Sequence, residues 1–98
     1  MTERHGPAME WRLFADLADA AGDRRIAVDP QGLETVGDAL EALLEGRPAL
    51  RERVLEEGDL AEHVNVLRNG ESVSARGGLE SPVEAGDELA LFPPVSGG

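Results

Sequence analysis

Ninety-eight residues make a chain of one-domain size, and its 41% hydrophobic content falls in short runs, none near the roughly 20 apolar residues of a membrane span. The absence of cysteine excludes disulfides, thiolate metal sites and a cysteine nucleophile. Twenty Asp and Glu against nine basic residues give a net charge of −11, which opposes nucleic-acid phosphates and anionic lipid alike.

Residues 1–8 carry a Gly-Pro breaker and no apolar periodicity, so they are expected to form a disordered arm, with a domain over residues 9–92 and an extended tail over 93–98. The polar start lacks the apolar run of a secretory signal, and a cytoplasmic protein is expected. Over residues 9–14, Met9, Trp11 and Leu13 alternate with Glu10 and Arg12, the period of a half-buried strand. A short helix is expected over 15–21, stopped by Gly22, and a second strand over Arg25–Val28, antiparallel to the first and ended by Asp29-Pro30.

The main helix opens on Thr35 as N-cap, with Asp38 in its first turn and Val36, Leu40, Leu43 and Leu44 on one stripe. Gly46 and Pro48 end it. Leu50, Val54 and Leu55 then predict a second helical segment, and Glu56, Glu57 and Asp59 a solvated acidic loop. Residues 63–68 form the next strand, with Val64 and Val66 on one face, and Asn69-Gly70 is the preferred pair for a two-residue type I′ hairpin. A return strand over 71–73, a Gly-rich loop and a last strand over Glu88–Phe92, with Leu89 and Leu91 buried, complete the domain. One helix stripe and one mixed sheet make a two-layer core: fold class α+β, of the β-grasp, ubiquitin-like type. By analogy with that arrangement, the first and last strands lie parallel at the centre.

Inside the domain little chemistry is legible. His5 and His63 are isolated and match no ligand spacing, so no metal site is expected. Ser72, Ser74, Ser81 and Ser96 lie in no Gly-x-Ser-x-Gly turn. The chain reads as a carrier, not an enzyme. The tail differs, because Pro93 and Pro94 each fix φ and remove a backbone donor, forcing the chain off the sheet. Val95 and Ser96 follow. Gly97 and Gly98 have no side chains, so the end can thread a narrow channel and leave the Gly98 carboxylate open to attack.

The run from Leu89 to Pro-Pro-Val-Ser-Gly-Gly at 93–98 resembles the ending of the small subunit of molybdopterin synthase, and residues 11–17 resemble its opening strand. Met9-Glu10-Trp11 and residues 64–70 further resemble the haloarchaeal small archaeal modifier proteins, within the MoaD/ThiS sulfur-carrier family. The resemblance implies adenylation of Gly98 by a ubiquitin-activating-like enzyme using ATP and magnesium, the protein itself holding no cofactor. It implies two fates: an isopeptide bond to lysines of target proteins, reversed by a zinc-dependent isopeptidase and feeding the proteasome, or a thiocarboxylate that donates sulfur in the large subunit of molybdopterin synthase. A dedicated sulfur carrier that never conjugates is the alternative.

All nine basic residues are arginine, so the chain offers no side-chain amine for self-conjugation. Weakly hydrated arginine with dense carboxylates also suits a salt-rich cytosol. Docking is expected through the tail and an apolar patch on the open sheet face, with Phe92 and Leu67 contributing and acidic rims favouring a basic partner.

Overall fold

The alternation in the first strand is a burial pattern. In a computed structural model that describes residues 7–61 and 64–93, β1 (Met9–Leu13) buries Met9, Trp11 and Leu13 and turns Glu10 and Arg12 outward. Leu13 is followed by a sharp turn at Ala15 into α1 (Asp16–Ala21), which ends on left-handed Gly22, whose N–H donates to the Ala18 carbonyl at 2.9 Å. β2 (Arg25–Val28) returns antiparallel to β1, Trp11 opposite Ile26.

Thr35 caps α2 (Val36–Leu44) through a complete capping box. The Asp38 N–H donates to Thr35 Oγ1 at 3.1 Å, and the Thr35 N–H to Asp38 Oδ2 at 3.2 Å. The backbone N–H groups of Glu34 and Thr35, donating to the Asp38 carboxylate, hold its pKa below the usual range. Thr35→Ala is expected to lower stability by about 1 kcal/mol, read from chemical denaturation, because an N–H of the first turn loses its acceptor. Within the helix, Gly37 lies close under the later loop: an added Cβ would sit 3.2 Å from the Leu79 carbonyl and press that loop back by a few tenths of an ångström.

α2 lays Val36, Ala39, Leu40, Leu43 and Leu44 against the sheet, and Trp11 Nε1, fully buried, donates to the Ala39 carbonyl at 3.1 Å. α3 (Pro48–Val54) adds Leu50 and Val54 to the same core. Helical spacing carries Leu55 into the second helix, and here the structure differs. Leu55 begins β3 (Leu55–Glu56), which pairs with β4 (Asp59–Leu60) in a separate two-stranded sheet. The turn is Glu57-Gly58, with Glu57 at φ +55°, so the expected acidic loop is a tight hairpin.

The next strand is shorter than expected: β5 (Asn65–Arg68) and β6 (Glu71–Ser72) flank Asn69-Gly70, whose φ of +50° and +88° fit the type I′ turn. The Gly-rich connection is two 3-10 turns, and Val73 opens the first of them. β7 (Glu88–Phe92) closes the main sheet in the order β2-β1-β7-β5-β6. β1 and β7 are parallel at its centre, Leu13 opposite Leu91. The tail residues 94–98 and both histidines lie outside the described residues.

Candidate functional site

Parallel pairing at the centre of the sheet brings the ends of β1 and β7 side by side. The next residues in each strand, Phe14 and Phe92, stack with ring centroids 4.3 Å apart and planes 8° from parallel. Such a pair contributes about 0.5–1.5 kcal/mol beyond its area. Its position matters more: Phe92 is the last residue of β7, and the half-buried Pro93 that follows lies outside the strand. The stacked rings therefore mark the root of the tail. Phe14 is the one large hydrophobic residue with a well-exposed side chain among the described residues.

Strand register places the expected surface residues. Leu67 lies opposite Ala90 and Asn65 opposite Phe92, so Leu67, Ala90 and Phe92 share the sheet face that no helix covers. Leu67 and Phe92 are half-buried there. Their apolar strip runs to Phe14, which sequence reasoning left out of the patch. Only the parallel pairing of the first and last strands, expected by analogy, points to it: one step beyond the paired Leu13 and Leu91, the next two residues meet.

Rotation into α1 strains the backbone beside this strip. Ala15 has φ +56° and ψ −134°, a region in which Cβ is crowded and which costs on the order of 1–3 kcal/mol. Ala15→Gly is expected to raise stability by about 1 kcal/mol after the entropic cost of glycine, and the melting temperature by several degrees.

The borders of the strip differ in charge. Glu10 and Glu88 face each other across β1 and β7, and Arg12 Nε bridges to Glu88 Oε2 at 3.1 Å. Toward β2 the expected acidic rim is instead arginine: Arg12 lies directly opposite Arg25, with Arg24 beside it. A groove between the Phe14-Ala15 turn and the start of β2 is lined by these three arginines and Asp23. Among the described residues no three His, Cys, Asp or Glu side chains are grouped to hold a metal. No described helix is long and apolar enough to cross a membrane.

Comparison with known proteins agrees with this architecture. The profile of the ThiS family matches residues 11–98. Small archaeal modifier protein 1 of Haloferax volcanii is 58% identical over 91 residues, 92% of this chain and 100% of the relative. Its crystal structure superposes with a TM-score of 0.81 at 56% identity, covering 92% of this chain and 100% of that one. A chain from the crystal structure of the Amycolatopsis orientalis BexX/CysO complex superposes with a TM-score of 0.79 at 28% identity, covering 93% and 100%. With its β-grasp sheet and its likeness to Haloferax volcanii small archaeal modifier protein 1 along nearly its whole length, the chain belongs to the ThiS family, among the small archaeal modifier proteins.

Proposed function

We propose that this protein is a ubiquitin-like modifier activated at the carboxylate of Gly98. The observation that carries the reading is the junction at Phe92: a central strand ends there, and Pro93 begins a short run to Gly97-Gly98 in a chain 58% identical to an archaeal modifier. A carboxylate is a poor acyl donor at neutral pH. In the proposed step a Gly98 oxygen attacks the α-phosphorus of magnesium-bound ATP on a ubiquitin-activating-like enzyme, pyrophosphate leaves, and an acyl-adenylate forms.

A lysine amine of a target protein then attacks the acyl carbon, AMP leaves with the electron pair of the broken bond, and the amine gives up a proton. The product is an isopeptide, which a zinc-dependent isopeptidase reverses and which addresses targets to the proteasome. Without lysine of its own, the chain adds once to each acceptor instead of building side-chain-linked polymers. When sulfide equivalents displace AMP instead, the product is a thiocarboxylate, the sulfur donor for the large subunit of molybdopterin synthase. Residues 93–97 are the segment the activating enzyme threads, and Phe92 and Leu67 contribute to the docking face. The setting is the cytoplasm.

The second reading, a dedicated sulfur carrier, is favoured by membership of the ThiS family and by the likeness to the chain from the BexX/CysO complex. Incubation with extract of the source cells, with and without ATP, followed by mass spectrometry separates the two. ATP-dependent attachment of Gly98 to target lysines is the expected result. Thiocarboxylate alone would leave the carrier reading, and neither product would overturn both.

A further inference from the structure

Most arginines in this structure are closed on a neighbour. Arg53 and Arg68 each hold a carboxylate at 2.7 and 2.6 Å, Arg51 holds Glu41, and Arg47 donates to the Leu43 carbonyl at 2.9 Å. Arg24 and Arg25 are exposed and have no side-chain partner among the described residues. On a chain of net charge −11, two adjacent unpaired cations are already out of keeping. Their placement sharpens the point, because Arg25 lies directly across from Arg12, and like charges at directly opposed positions repel. A carboxylate in that place would pair with Arg12. Arg12 closes on Glu88 at 3.1 Å instead, and Arg25 is left with no carboxylate among the described residues.

The nearest carboxylate does not close these side chains. Asp23 Oδ1 accepts the backbone N–H of Arg24 at 2.8 Å and that of Arg25 at 3.4 Å, so it fixes the start of β2. The arginines border the groove beside Phe14, and Phe14 stacks on Phe92 at the root of the tail. Six residues from 93 to 98 reach at most about 20 Å when fully extended. A partner that takes the Gly98 carboxylate must therefore come close to this rim.

We infer that the activating enzyme docks here through carboxylates of its own, which pair with Arg24 and Arg25 and offset the like charge of Arg25 and Arg12, while an apolar surface covers Phe14 and Phe92. This inference rests on the adenylation reading above. The acidic remainder of the chain repels the same enzyme surface, so the rim sets the orientation in which the tail arrives.

The test is ATP–pyrophosphate exchange by the ubiquitin-activating-like enzyme purified from the source cells, with this protein titrated as substrate. The double variant Arg24→Glu/Arg25→Glu is expected to raise the half-saturating concentration about tenfold or more at low salt, leaving the maximal rate unchanged, and the effect should shrink in 1 M KCl. Arg24→Lys/Arg25→Lys keeps the charge and should stay within about twofold of wild type. The Arg24→Glu/Arg25→Glu variant should melt no lower than wild type, since the carboxylate introduced opposite Arg12 replaces a repulsion with an attraction, and this separates docking from folding. An unchanged half-saturating concentration in that variant, with exchange intact, would overturn the rim and leave adenylation standing. Equal losses in the two double variants would also overturn it. No exchange with wild type would remove the adenylation reading and the rim together.

Discussion

Deleting Gly98 should abolish ATP-dependent conjugates and thiocarboxylate alike, by at least about 100-fold, while the domain unfolds at its normal temperature. The variant remains chemically competent in one sense, because it still ends on a glycine carboxylate, that of Gly97. What changes is reach. One extended residue spans about 3.5 Å, and a misplacement of about 1 Å at a reacting centre is enough to cost two orders of magnitude. If the domain docks at a fixed place, the shortened tail leaves its carboxylate short of the α-phosphate. Stability should not follow, because the buried residues described in the core end at Leu91. Gly98→Ala keeps the reach and adds a methyl beside the acyl carbon, so an intermediate loss is expected. Both variants are read by mass spectrometry of the products, with melting curves as the folding control. Conjugation through Gly97 at the wild-type rate would mean that the docked domain does not set the position of the tail.

Local rules made much of the fold legible. The period-two pattern of Met9, Trp11 and Leu13, the Thr35 cap and the Asn69-Gly70 turn each report on residues adjacent in sequence, and each gives its element directly. The β3–β4 hairpin escaped because Leu55 continues the stripe of Leu50 and Val54, and because its turn places glutamate at positive φ, where asparagine or glycine is usual. Of the surface beside the tail, Phe92 and Leu67 were legible as outward residues of their strands. Phe14 and the arginines were not. Phe14 reaches Phe92, at the far end of the domain in sequence, only through the parallel pairing of the first and last strands, and Arg25 faces Arg12 only in the observed register. Long-range pairing of this kind leaves no periodic trace in a single sequence.

The largest effect on folding is expected at the opposite end of β7, where Asp87 is 7% exposed. Its carboxylate accepts from Arg68 Nε at 2.6 Å, Asn69 Nδ2 at 3.0 Å and the Glu84 N–H at 2.7 Å, so it locks the type I′ hairpin to the turn that begins the central strand. Asn69 completes the clasp by accepting from the Glu88 N–H at 2.9 Å. Burial by itself would raise the Asp87 pKa, but the hydrogen bonds from Arg68, Glu84 and Asn69, together with the Arg68 charge, outweigh it and hold the pKa below the usual carboxylate range. Asp87→Ala removes one side of this pair and leaves the half-buried Arg68 guanidinium and the Glu84 N–H without their acceptor, for an expected loss of about 1–3 kcal/mol. Against a total of about 5–15 kcal/mol, that is a large share of the stability. The sign of the pH dependence follows from the depressed pKa. The contribution of Asp87 is complete above the unfolded value of about 3.9 and is lost as the pH falls through the lower folded one. Asp87→Asn, which keeps the shape and loses the charge, should therefore show a weaker fall in stability with acid than wild type, measured by urea unfolding at a series of pH values. An equal acid dependence in the two proteins would assign the effect to other carboxylates and leave Asp87 with a packing role alone.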